Sequence, residues 1–180
     1  RVSLYWLGLI KAQAGKLSEA KEAFRACLDR YRPEILYLNL AGVHLQLGEH
    51  EEARALLTEL LATHPFPEMA RDASYYLAAL ALAQGNLLEA KARLEEVVRA
   101  DPQYERAWIL LGEVARRRLL WDEAKSHFQR ALKVIDGKIA GIQARLDRPL
   151  PLKDYGELQG QLSALQAMRK RVLQALEELP

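Results

Sequence analysis

Gly15-Lys16-Leu17-Ser18-Glu19-Ala20 recurs as Gly48-Glu49-His50-Glu51-Glu52-Ala53, and again as Gly85-Asn86-Leu87-Leu88-Glu89-Ala90. A fourth copy, Leu119-Leu120-Trp121-Asp122-Glu123-Ala124, has leucine in place of the glycine. The closing residues Ala20, Ala53, Ala90 and Ala124 stand 33, 37 and 34 residues apart. Self-similarity at such a period marks a stacked repeat, whose units bury their apolar faces only against their neighbours.

Each copy sits between two helical patterns. Upstream, Leu4, Leu7 and Ile10, or Trp108, Leu111 and Val114, fall three and four apart. Downstream, Ala20, Phe24 and Cys27 do the same, as do Ala124, Phe128 and Ala131. That is the period of a helix, not the alternation of a strand. Gly15, Gly48 and Gly85 fit the position after a helix where the backbone turns left-handed. Ser18 and Asp122 are expected to cap the helices that follow. Gly8, Ala41, Ala78 and Gly112, with the four alanines of the second helices, would let paired helices approach closely. Half of the 180 residues are apolar and 28% are charged, values of a globular chain rather than a disordered one. Arg1 begins inside a helical pattern, so the chain reads as a piece of a longer protein or a processed form.

These residues resemble the tetratricopeptide repeat family. The first repeat carries Leu7-Gly8, Gly15, Ala20 and Phe24. The second has Tyr37, Leu40-Ala41, Gly48, Ala53 and Pro65, and the third Leu77-Ala78, Gly85, Ala90 and Pro102. The fourth has Trp108, Leu111-Gly112, Trp121, Ala124, Phe128 and Ala131. The resemblance covers residues 1–138, with repeats at about 1–33, 34–70, 71–104 and 105–138. It implies an all-α fold, a right-handed α-solenoid of four helix-turn-helix repeats. Leu119 departs from the family's glycine and leaves the geometry of the fourth turn open. Extra residues near His64 to Ala70 suggest a longer turn or helix start.

From Phe128 the pattern becomes a heptad seam: Leu132, Ile135, Ile139, Ile142 and Leu146 follow at steps of four and three. The last repeat helix is expected to run on to about Asp147, where Pro149 and Pro151 break it. A second seam follows at Leu158, Leu162, Leu165, Arg169, Val172, Leu176 and Leu179. Residues 139–180 are therefore expected to complete a long antiparallel helical hairpin. Two roles are open for it: a cap on the end of the solenoid, or an arm for dimerisation or partner binding.

The resemblance also implies a concave groove lined by the first helices. Its candidate residues are Val2, Tyr5 and Leu9 in the first repeat, and Ile35, Leu38, Asn39 and Leu45 in the second. The third supplies Tyr75, Ala79 and Leu82, and the fourth Arg106, Ile109, Glu113, Arg116 and Arg117. Such a groove is apolar through three repeats and basic at its end, suited to an apolar helix or peptide with an acidic residue. Co-chaperones of the family grip a terminal carboxylate with Lys, Asn and Arg. The matching positions here are Tyr5, Leu9, Asn39, Asp72 and Tyr76, and only Asn39 agrees, so that clamp is not expected.

No constellation supports an enzyme. His44, His50, His64 and His127 lack a recognised metal spacing, and there is no phosphate loop or nucleophile elbow. Neither a metal nor a cofactor is expected. Cys27 reads as a buried small residue. Glu19, Glu52, Glu89 and Glu123 recur with the repeat near helix starts, which argues for a structural role. Arg116-Arg117-Arg118 and Arg169-Lys170-Arg171 lack interleaved aromatic platforms and read as solvated faces rather than a nucleic-acid site. A net charge of +2 adds nothing for nucleic acid, and no apolar run spans a bilayer. The expected function is a protein-interaction scaffold that binds a peptide or helix of a partner. Self-association through the hairpin, as a homodimer, is the alternative. The compartment stays open, with the cytoplasm slightly favoured.

Overall fold

The computed structural model describes residues 3–30 and 34–180. Val2, one of the expected groove residues, lies outside them. Among the described residues there are nine helices and no strand. They run α1 (Leu4–Gln13), α2 (Leu17–Leu28), α3 (Glu34–Gln46), α4 (His50–Ala62), α5 (Pro67–Ala83), α6 (Leu87–Ala100), α7 (Glu105–Arg117), α8 (Trp121–Leu146) and α9 (Leu152–Glu177). The chain divides into two compact units, Arg1–Arg93 and Leu94–Pro180.

In the first unit, α2 and α4 are amphipathic, whereas α1 and α3 spread apolar residues around the helix rather than along one stripe. α1 and α2 pack closely. A methyl group on Gly8 would lie 2.5 Å from Cε1 of Phe24, so only hydrogen fits there. The same arrangement returns in the second unit. A Cβ on Gly112 would lie 2.6 Å from Cδ1 and Cε1 of Phe128. The second repeat uses a smaller partner and a larger first residue, because Ala41 and Leu57 share one core and both are fully buried. The third repeat carries Ala78 and Leu94 at the equivalent sequence positions. Glycine thus stands with phenylalanine and alanine with leucine, which conserves the filled volume.

All four turns within repeats share one geometry. Gly15, Gly48 and Gly85 have φ of 73°, 76° and 77°, and Leu119 follows at 61°. In the first turn the amide of Gly15 donates to Ala12 O at 3.1 Å and that of Lys16 to Lys11 O at 2.9 Å. In the fourth, Leu119 N donates to Arg116 O at 3.0 Å and Leu120 N to Ala115 O at 2.9 Å. This paired pattern closes a helix end with a left-handed residue. Leu119 therefore adopts the glycine conformation, a region that disfavours side chains. Its side chain gains little from packing, being 67% exposed.

The expected caps are corrected. α2 and α8 begin at Leu17 and Trp121, so Ser18 and Asp122 lie inside the first turn and neither is the capping residue. Ser3 does cap α1, accepting from the amide of Trp6 at 3.3 Å. Leu7 and Ile10, expected in the apolar stripe, are 37% and 55% exposed. The residues added near position 64 lengthen α5 to 17 residues, with Pro67 at its first position, where a missing amide costs nothing.

Side chains also join successive repeats of the first unit. Lys21 Nζ donates to Glu49 Oε1 at 2.7 Å. At the equivalent position one repeat later, Arg54 reaches Glu89 at 3.3 Å and Gln84 at 3.1 Å.

In the second unit α8 runs 26 residues without a break, twice the 13 of α7. After Pro149 and Pro151, α9 returns along it for another 26. Tyr155 OH donates to Arg148 O at 2.7 Å and ties the turn. Leu158, Leu165 and Val172 are buried at steps of seven, the spacing of a hairpin seam. Arg169, the polar member of that seam, meets Asp136 of α8 at 2.7 Å.

Two predictions follow from the packing and the turn. Gly112→Ala should destabilise the protein by about 1–3 kcal/mol through the clash with Phe128. Adding Phe128→Leu should recover much of that loss, because it installs the alanine–leucine pair of the second repeat; denaturation midpoints of the four members of the cycle measure the coupling. Leu119→Gly should stabilise by roughly 0.5–1 kcal/mol, since it removes left-handed strain and gives up little buried surface. A lowered melting temperature would overturn that expectation.

Candidate functional site

The first helices of the first unit hold most of the expected groove residues. Tyr5 and Leu9 are half-buried against the core of the first repeats. Tyr5 OH accepts from Nδ2 of Asn39 at 3.2 Å, so these two residues join α1 to α3. Leu45 is half-buried beside the core of the second repeat, and Tyr75 is half-buried with its ring edge-on to Tyr76 at 5.6 Å. Ile35 is exposed. Two candidates are corrected. Leu38 is 5% exposed and Leu82 is 6% exposed, so neither lines an open wall. Leu38 is enclosed because α3 packs on α5 as well as α4; it shares a core with Ala73, Leu77 and Leu80 of α5. Asn39 is engaged by Tyr5, and Asp72 pairs with Arg71 at 3.1 Å.

The fourth-repeat candidates lie on α7, within the second unit. Arg106 is exposed. Ile109 is half-buried and packs on the core that α8 and α9 share. Arg116 and Arg117 converge on one carboxylate: Glu113 accepts from Arg116 at 2.6 and 2.8 Å and from Arg117 at 3.0 Å. The bond from Arg116 is the main reason the Glu113 carboxyl lies below its ordinary range, and Glu113 in turn raises Arg116. The basic run that looked free in the sequence is therefore partly neutralised on its own helix. Sequence spacing carried that signal, since Glu113 stands three and four residues before the arginines. Trp108, by contrast, is a framework residue. Its Nε1 donates to Pro102 O at 2.8 Å, and Arg130 stacks 5.4 Å from its ring centre.

The one fully buried polar side chain among the described residues is His44, at 1% exposure. Its Nδ1 lies 3.2 Å from Glu49 Oε2, and Glu49 also accepts from Lys21. Burial is the largest influence on His44 and pushes its pKa down, outweighing the attraction of Glu49. The hydrogen bond from Lys21 holds the Glu49 carboxyl below its usual value. Cys27, expected to be buried, is half-buried beside the first core. Among the described residues no group of three His, Cys, Asp or Glu side chains could hold a metal ion, and no helix is long and apolar enough to cross a membrane.

Helix pairs of this length, turn and packing define an α-solenoid repeat. The chain belongs to the tetratricopeptide repeat family, whose models match residues 5–69, 38–90 and 81–146. Solved structures show the same fold. A MamA fragment from Desulfovibrio magneticus is 20% identical, with a TM-score of 0.62 over 97% of this chain and 93% of that one. PilF of Pseudomonas aeruginosa is 16% identical, with a TM-score of 0.65 over 97% and 78%. A thermophilic repeat protein of Thermus thermophilus is 18% identical, with a TM-score of 0.58 over 91% and 97%. Repeats of this family are generally non-catalytic protein-interaction modules, and the chain is an interaction scaffold in that general sense.

The His44 environment predicts an acid-side loss of stability. The folded state disfavours the imidazolium, so stability is full above the unfolded pKa of about 6.5 and declines as pH falls below it. Glu49 adds a second loss on the same side, below the ordinary carboxylate range. Melting temperatures between about pH 8 and 5 should fall more steeply for the wild type than for His44→Gln, which cannot titrate. A wild type that gains stability on acidification relative to this variant would show a charged His44–Glu49 pair instead.

Proposed function

We propose that the first-helix face of Tyr5, Leu9, Ile35, Asn39, Leu45 and Tyr75 binds an apolar peptide or helix of a partner protein. One observation carries this reading: α1 and α3 carry apolar residues on more than one side, yet only part of each is buried. A helix that is apolar all round normally has cover on all faces. Here α2 and α4 cover one side, while Tyr5, Leu9, Ile35 and Leu45 keep surface open to water. The two tyrosines and Asn39 add polar points that could orient a bound backbone. Self-association through the hairpin has less support. The seam of α8 and α9 is occupied by their own pairing, with Leu158, Leu165 and Val172 already buried.

Leu38 and Leu82 are unsuitable probes, because charge there would break the core. Ile35→Glu is the better variant, since Ile35 is already 38% exposed and should cost under about 1 kcal/mol. Affinity capture from an extract of the source cells, run in parallel with wild type and Ile35→Glu, should recover a partner with the first and lose it with the second. Identical recovery by a folded variant would reject the face. A concentration-independent monomer in sedimentation would reject self-association.

A further inference from the structure

Because α8 is twice as long as α7, its C-terminal half projects past the start of α7. At 1.5 Å per residue α8 spans roughly 39 Å and α7 roughly 20 Å. Under α7 the seam is closed: Phe128 and Ile135 are 2% and 0% exposed. Beyond it Ile139 and Ile142 are only half-buried. An open pocket of about 490 Å³ lies where the three helices diverge. Its apolar floor includes Ile142, Leu165 and Met168, and Gly141 leaves room beside them, since a Cβ there would meet nothing within 4 Å.

The rim is basic. Arg106 from α7 and Lys138 and Arg145 from α8 surround it, against the single acid Glu105. Lys138 is already bound to Glu105 at 2.5 Å. Among the described residues nothing pairs with Arg106 or Arg145, so two guanidiniums remain. Guanidinium forks suit carboxylates, which they can hold by two hydrogen bonds at once. The volume lies within the range of ligand pockets but takes only a few side chains.

We propose that this pocket, formed by the overhang of the α8–α9 hairpin past Arg106, docks an acidic, apolar segment of a partner polypeptide. Large apolar side chains sit over Ile142, Leu165 and Met168, and a neighbouring Glu or Asp meets Arg106 and Arg145. This rests on the peptide-binding reading above and assigns the hairpin a part in it beyond covering the last repeat.

The two methionines of the chain, Met69 and Met168, make the test direct. Carbon-13 methyl labelling gives one signal in the pocket and one on α5 as an internal reference. The probe is a short synthetic peptide of Leu and Glu, compared with the same peptide carrying Gln for Glu. The Glu peptide should shift Met168 and leave Met69 in place. Arg106→Gln with Arg145→Gln, both exposed positions, should weaken that binding at least about tenfold while circular dichroism stays unchanged. Equal binding of the Gln peptide, or an unaffected double variant, overturns carboxylate recognition. Amide shifts confined to α1, α3 and α5 overturn the pocket and leave the peptide-binding reading standing. No shift anywhere overturns both.

Discussion

The close contact between the two helices of a repeat sets the terms for everything else in this protein. Phe24 and Phe128 lie so near the opposing backbone that Gly8 and Gly112 have no room for a methyl group. An aromatic ring buried at that distance makes dispersion contacts over its whole face, and those contacts hold the pair at one separation. Where the ring is replaced by Leu57, the opposing residue grows to Ala41, so the gap is filled either way. A repeat with both large residues would be overpacked, and one with both small residues would carry a cavity. The pair must therefore vary together, and within the chain it does.

Once that separation is set, the turn must close in a short space. Four turns use the same left-handed residue and the same two hydrogen bonds, although one of them is leucine. The tertiary pairing of α7 and α8 thus imposes on Leu119 a conformation that its side chain disfavours. Around these units the polar chemistry is structural. Lys21, Glu49 and His44 link one repeat to the next, as Arg54 and Glu89 do one repeat later. Burial lowers the pKa of His44, and the hydrogen bond from Lys21 lowers that of Glu49.

The proposed interaction surfaces lie where this regular scheme leaves apolar residues without cover. On the first unit these are the outer faces of α1 and α3. On the second unit, α8 continues for some 13 residues beyond the length of its partner α7. The hairpin partner α9 buries one stripe of that extension, and the rest borders a basic rim. Charges that look alike in sequence part company here. Arg116 and Arg117 are committed to Glu113, whereas Arg106 and Arg145 are not.

The sequence by itself determined the repeat, the helical class, the lengthened last helix and the proline break. All of these rest on local periodicity or on a single residue's backbone preference, and both are properties of a linear pattern. It also marked most of the candidate face, because first-helix positions recur with the repeat. Only the tertiary structure decided which of those positions stay open. Leu38 is enclosed because α5 packs against α3 on the side that the pattern left free, a contact between residues tens of positions apart. The capping residues were misplaced for a related reason, since packing starts α2 and α8 before Ser18 and Asp122. The pairing of glycine with phenylalanine and the pocket beyond α7 were likewise decided in three dimensions. Volume and overhang belong to two or three helices at once, and no single segment encodes them.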